Sequence, residues 1–310
     1  MSNGTGTHLL NVARGGLMGT AEVIPGVSGG TVALITGIYD RLITSAGHAV
    51  SGIRIAATDL PRGQGTQRSL VEFRRVHWQL VIGVLIGMAV MLVVAAKIVA
   101  PLVEEYPQRS FALFFGLVLA SLWVPFTGSG RAWTALNYLV ALAAAAAAFF
   151  LTGLPPTEIS DPNPLLIIGA AAVAICALVL PGVSGSFMLL AFGMYTVTIN
   201  AVNDRDFGYL ALFALGAVLG LSLFVKLLQW LLEHYHHLTL VVMTGLLLGS
   251  LRALWPWQPW EEERRELLAP SGDLAVTFGL IGLGMAVVIG ILVVAHRHAA
   301  REHEPGAIVQ

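Results

Sequence analysis

Residues 23–42 read VIPGVSGGTVALITGIYDRL, and residues 179–198 read VLPGVSGSFMLLAFGMYTVT. Each places proline and glycine inside an apolar stretch, where both are poor helix formers. Aligned, Pro25 falls on Pro181, Gly26 on Gly182, Val27 on Val183, Ser28 on Ser184 and Gly29 on Gly185. Further along, Gly37 falls on Gly193 and Tyr39 on Tyr195. One helix breaker is therefore written twice, and its meaning depends on the solvent around it.

That solvent is lipid. Only 11% of the 310 residues are charged and 56% are hydrophobic, whereas a soluble domain carries roughly 25% charged residues. Spanning a bilayer as helix takes about 20 apolar residues, and the runs 133–153 and 273–295 meet that length. A net charge of −1 gives no ground for nucleic-acid binding, and the single Cys176 excludes an intramolecular disulfide. Arg14 interrupts the first apolar segment and no cleavage site follows, so that segment reads as part of the mature fold.

Weaker echoes extend the repeat. IGVLIG at 82–87 resembles LGAVLG at 215–220, and GLVLASLWVP at 116–125 resembles GLLLGSLRALWP at 245–256. The expected fold is an all-α polytopic membrane protein of two homologous halves, 1–152 and 153–310. Each half holds a broken apolar segment, about 9–46 and 164–202, followed by three spans. These lie at about 79–100, 110–126 and 133–153, then at about 209–232, 238–255 and 273–296.

Short loops rich in Lys and Arg stay cytoplasmic. The loop 51–77 carries Arg54, Arg62, Arg68, Arg74 and Arg75, while 154–164 carries Glu158 and Asp161 and no basic residue. This bias favours broken segments that turn back, with both termini cytoplasmic. Three crossings per half then set the halves in opposite orientations, an inverted repeat of re-entrant hairpins as in many transporters.

Non-helical backbone at membrane depth must be buried in protein or line a wet cavity. A helix restarting near Ser28 or Ser184 offers unpaired N–H groups and partial positive charge, an arrangement that suits phosphate. Glycine allows close approach and serine adds a hydroxyl. The alternative is a tight hairpin turn with Ser28 and Ser184 as N-caps. Duplication on opposed hairpins puts the two readings on equal footing.

Charges in apolar segments mark function more often than chance. Glu22, three residues before Pro25, is a candidate proton carrier, or else pairs with Arg14 or caps a broken helix end. Asp40 and Arg41 read as interface markers. Arg252 is favoured for a ligand role, while Lys226 and Lys97 read as snorkelling lysines. HYHH at 234–237 fits no strong metal pattern, WPWQPW at 255–260 reads as an aromatic interface belt, and EEERRE at 261–266 as a solvated loop.

GLMGTAEVIPGVSGGTVALITGIYDRLI, LVLPGVSGSFMLLAFGMY and GLLLGSLRALWPW together resemble the PopT-type polyprenyl-phosphate translocases, a bacterial membrane family, over nearly the whole chain. The resemblance implies a flippase of the bacterial cytoplasmic membrane, not an enzyme, returning undecaprenyl phosphate between leaflets without a cofactor or metal. Its motif positions are Pro25, Gly26, Val27, Ser28, Gly29, Gly30 and Thr31, with Pro181, Gly182, Val183, Ser184, Gly185 and Ser186 in the second copy. With Arg252 they form the expected phosphate site, and Glu22 and Arg14 the expected coupling pair. Gly30 stands opposite Ser186, so the half-sites need not bind equally. The halves can complete a site within one chain, which leaves monomer and homodimer both open.

Two rivals remain at this stage. Polyprenyl pyrophosphate phosphatases also carry a PG-x-S turn, but with arginine after the serine, where this chain has Gly29 and Gly185. A small-anion transporter could use the same helix ends without reading a lipid tail.

Overall fold

The computed structural model describes residues 3–23, 29–63, 65–154, 159, 162–180, 185, 188–189, 192–260 and 266–302, and no strand occurs among them. The helices are α1 (Asn3–Val23), α2 (Gly29–Ile35), α3 (Tyr39–Asp59), α4 (Gln67–Arg75), α5 (Trp78–Glu105), α6 (Pro107–Ser121) and α7 (Trp123–Gly128). They continue with α8 (Ala135–Leu151), α9 (Pro164–Val179), α10 (Tyr195–Asn203), α11 (Phe207–His234), α12 (His236–Ser250), a 3-10 turn (Leu251–Leu254) and α13 (Leu274–Glu302).

Five stretches among the described residues are long and apolar enough to cross a membrane: Trp78–Ala95, Pro107–Gly128, Phe207–His234, His236–Leu254 and Leu274–Val293. The chain is a multi-pass membrane protein. The expected span 133–153 becomes the 17-residue α8, started by a capping box between Thr134 and Asn137. At about 1.5 Å per residue it is shorter than a bilayer core of about 30 Å.

The sequence echoes have structural counterparts. Helices α5 and α11 are each 28 residues, and each is followed, after Tyr106 or Tyr235 at φ −129°, by a helix of 15 residues. Ser110 Oγ donates to Leu102 O at 3.2 Å, and Thr239 Oγ1 to Leu231 O at 3.3 Å. Ser121 and Ser250, both buried, donate to the carbonyls of Val118 and Leu247. Gly37 and Gly193 share a left-handed conformation, φ 69° and 70°. Around them Ile38 N bonds Ala33 O and Met194 N bonds Leu189 O, the closure that ends a helix at a left-handed residue.

Packing in lipid relies on small residues that let backbones approach, and the glycines show where. A Cβ on Gly15 or Gly19 would strike the backbone of Val84 or Met88, and one on Gly87 that of Val12, so α1 lies directly on α5. Gly216 and Gly220 meet the backbones of Ile168 and Ala172 in the same way, joining α9 to α11. The later helices pair with partners distant in sequence. Gly116 and Gly284 join α6 to α13, while Gly245 and Gly249 join α12 to α8.

Hydrogen bonds fix which segments share an end of the bundle. At one end Ser45 of α3 meets His77 at the foot of α5, His48 meets Glu72, and His236 and His237 reach the carbonyls of Gly128 and Ser129. At the other, Gln108 bonds Thr277, Arg252 bonds Phe149 O, and Ile159 N bonds Gly193 O. Helix α1 runs parallel to α5, with Asn11 beside Gly83 and Gly19 beside Met88, yet α3 is back at the foot of α5.

The first broken segment is longer than 9–46. Helix α1 begins at Asn3 and α3 runs on to Asp59, so Asp40 and Arg41 open a helix where an arm was expected to end. The left-handed turn at Gly37 redirects the chain, and the small buried positions Ser45, Gly47 and Gly52 seat α3 on its neighbours. The basic loop contains α4, whose Arg68 pairs with Asp59 at 3.4 Å and whose Arg75 pairs with Glu72 at 3.2 Å.

Candidate functional site

Residues 24–28, 181–184 and 186 lie outside the described residues, which takes in Pro25, Gly26, Val27, Ser28, Pro181, Gly182, Val183, Ser184 and Ser186. The flanks of both motifs are described, and they converge. Gly29, Gly30 and Thr31 open α2 and are buried. Glu22, one turn before the break, accepts a 2.7 Å hydrogen bond at Oε1 from the backbone N–H of Gly29. A carboxylate thus sits where the restarted helix directs its positive end. Of the expected roles for Glu22, the geometry displays the helix-end cap. Arg14 donates instead to Asn11 Oδ1 at 3.3 Å.

Glu22, Gly29 and Gly30 line a cavity of about 270 Å³ whose remaining wall is almost entirely apolar. Leu178 and Val179, the residues leading into the second motif, form part of that wall, together with Leu221 and Val225 of α11. The Tyr39 hydroxyl donates to Val179 O at 3.1 Å, tying the end of the first broken segment to the approach of the second. Tyr39 is 3% exposed and its repeat mate Tyr195 is 40% exposed, so only one of the pair makes such a tie. Sequence reading had used Tyr39 only as a repeat marker; an aromatic hydroxyl in a buried apolar segment, which needs a partner, was the available signal.

Gly185 is buried, and a Cβ there would lie 2.6 Å from Ala174 O, so the restart of the second segment is pressed against α9. Arg252 is elsewhere. Its guanidinium carbon stands 4.5 Å over the Phe149 ring, Nη1 donates to Phe149 O at 3.3 Å, and its buried Nε has no hydrogen-bond partner. It occupies the end of α8, where glycine at 153 leaves room for it.

Other singled-out residues have local partners. Lys226 Nζ donates to Gln229 Oε1 at 3.3 Å, facing Gly47 of α3. Trp257 is buried and donates to Ser271 O, Trp255 donates to Leu268 O, and the Trp260 ring packs 4.5 Å from Phe111. These tryptophans clamp the connection before α13, where an interface belt had been expected. Residues 261–265 of the acidic loop lie outside the described residues.

Comparison with known proteins shows the family. The model of the undecaprenyl phosphate translocase-like family matches residues 18–269, from within α1 to beyond the tryptophan cluster. A polyprenyl-phosphate transporter of Vibrio cholerae is 36% identical over 259 residues, covering 83% of this chain and 81% of that one. A polyprenyl-phosphate transporter of Staphylococcus aureus is 28% identical over 271 residues, covering 81% and 87%. No solved structure matches the chain. With the match spanning both motifs and the helices that hold them, the chain belongs to the undecaprenyl phosphate translocase-like family.

Proposed function

We propose that this protein carries a polyprenyl phosphate between the leaflets of a bacterial cytoplasmic membrane, holding the phosphate between two re-entrant segments of inverted halves. The observation that carries this reading is the convergence of the two motif flanks on one cavity, with Glu22, Gly29 and Gly30 on one side and Leu178 and Val179 on the other.

The re-entrant topology is supported by the shared ends of the bundle. Helix α1 climbs beside α5, and Ser45 of α3 is hydrogen-bonded at the start of α5 again. On the opposite end, Gly193 after the second break meets Ile159 before it. The arginine-rich end, with α4 and His48, is then cytoplasmic, and so are both termini. The matched 28- and 15-residue helices support two halves.

A polyprenyl phosphate keeps its tail in hydrocarbon while its head crosses, so the protein need only shelter an anion. Backbone N–H groups at Gly26–Thr31 and Gly182–Ser186 supply that shelter, with Ser28, Ser184 and Ser186 adding hydroxyls. Glu22 holds the place of the phosphate until the substrate arrives. A carboxylate and a phosphate repel strongly in a low dielectric, so entry of the head requires Glu22 to leave or to take a proton. This is the proposed coupling. Arg252 attracts the head at the outer end, and Arg14 balances charge at the inner one.

Purified protein in liposomes, given labelled polyprenyl phosphate, its pyrophosphate and the free alcohol, tests the reading. Leaflet exchange that requires the phosphate and releases none of it supports it. Exchange of inorganic phosphate alone replaces it with the small-anion reading, and phosphate release from the pyrophosphate with the enzyme.

A further inference from the structure

A second groove lies away from the motif cavity. It measures about 1160 Å³ and is formed by α6, α7, α12 and α13, with Leu119, Trp123, Phe126, Met285, Ile289 and Val293 among its walls. Ligand pockets for small molecules reach about 1,000 Å³, so this groove suits something longer. Its threonines add no free polarity: Thr127 Oγ1 donates to Trp123 O and Thr244 Oγ1 to Leu240 O, both at 2.7 Å. Trp123 is 63% exposed, an aromatic ring on the groove wall beside Phe126.

The groove exists because the repeat is broken at one layer. Helix pairs α6–α13 and α12–α8 begin alike, Gly116 against Ile281 and Gly245 against Ala141. One turn on, α12 places Gly249 against Ala145 and the helices stay in backbone contact. The corresponding residues of the other pair are Ala120 and Met285, both on the groove wall. Each is larger than its counterpart, alanine for Gly249 and methionine for Ala145. Three positions further, Arg252 of the one pair reaches over Phe149 of α8, whereas its counterpart Trp123 lines the groove. The groove lies beside only the α6–α13 seam of the two.

Resting on the lipid-transport reading above, we infer that this groove seats the prenyl tail of the phosphorylated lipid while its head occupies the motif cavity. The position supports that occupant. Helix α2, which starts with Gly29 and Gly30, packs against α6, α7 and α13, the walls of the groove. Val32 and Leu34 of α2 pack into the same apolar cluster as Val118, next to the groove residue Leu119. A lipid held at α2 can lay its tail along α6 and α7 without leaving protein. Methyl-branched isoprene units fill an irregular aromatic-lined groove by dispersion contact alone, which needs no polar partner.

The test uses the full chain in phospholipid liposomes with a long-chain polyprenyl phosphate bearing a diazirine in its tail. Crosslinks are mapped while leaflet exchange is followed in the same vesicles. The expected result is label concentrated on 119–128 and 285–293, displaced by unlabelled long-chain polyprenyl phosphate and not by phosphatidylglycerol. Ile289→Trp, which fills the groove from an exposed position, should slow exchange of the long-chain substrate at least about tenfold and spare farnesyl phosphate. Leu223→Trp on the outward face of α11 should change neither. Label spread over outward-facing helices and insensitive to competitor, with exchange intact, would overturn the groove as a tail site and leave transport standing. Absence of phosphate-dependent exchange in the wild type would remove the transport reading, and the tail site with it.

Discussion

The Glu22 carboxylate and the Gly29 backbone N–H are joined by a 2.7 Å hydrogen bond across the break that contains Pro25. The bond ties the two flanks of the motif together and puts a negative group at the start of α2. A Cβ on Gly29 would lie 2.6 Å from Glu22 Oε1, so the carboxylate can take this place only because residue 29 is glycine.

Glu22→Gln keeps an acceptor at this position and removes the charge. Its thermal unfolding should match wild type, whereas Glu22→Ala should lose about 1 kcal/mol through an unpaired buried N–H. Exchange by Glu22→Gln should no longer respond to an imposed proton gradient. A response equal to wild type would remove Glu22 from coupling.

The glycine seams give a paired prediction about stability. Gly87→Ala drives a methyl into Val12 O, and Gly116→Ala drives one into Ile281 O, both backbone atoms that cannot turn aside. Overpacking of this kind costs about 1–3 kcal/mol. Gly279→Ala and Gly290→Ala, with open space at the same atom, should be neutral or slightly stabilising. Unfolding in detergent distinguishes the two groups.

Tyr39→Phe removes the hydroxyl that holds Val179 O. The expected loss is about 1 kcal/mol, and exchange should slow with it, because the bond links the flanks of both motifs. Tyr195→Phe, at the exposed repeat mate, should leave both unchanged. Equal effects at the two sites would contradict the link.

Glu72, on the membrane-flanking α4, accepts from His48 Nδ1 at 2.8 Å and pairs with Arg75, and the His48 bond holds its carboxyl below the ordinary 4.5. A depressed folded value stabilises the protein above the unfolded value, and the gain is lost as pH falls through the folded one. Unfolding midpoints should therefore drop below pH 4.5 in wild type, and Glu72→Gln should flatten that drop.

How much could be read from the sequence differed by feature. The membrane class was plain from the long apolar runs, and the recurrence of PGVSG was visible as a pattern of letters whose structural meaning the sequence left open between a ligand site and a tight turn. The packing was encoded in the spacing Gly83/Gly87 and Gly216/Gly220, visible as a repeat but not as two seams until the partners were known. The length of α3 was hidden because its residues are mixed in polarity and only its small positions are buried. The N–H partners of Trp255 and Trp257, Leu268 O and Ser271 O, lie in the connection that follows, and tryptophans beside prolines do not announce such partners in sequence. The meeting of Tyr39 with Val179 joins residues 140 apart in sequence, which no local pattern specifies.

The central claim is that both breaks act on one phosphate, and a double-mutant cycle on leaflet exchange tests it most directly. Ser28→Ala, Ser184→Ala and the double variant would be compared with wild type in liposomes carrying labelled polyprenyl phosphate. A shared site predicts that each single change slows exchange and that the double change falls short of the sum of the two, since contacting partners couple. Two independent, fully additive effects, or no effect from either serine, would contradict it.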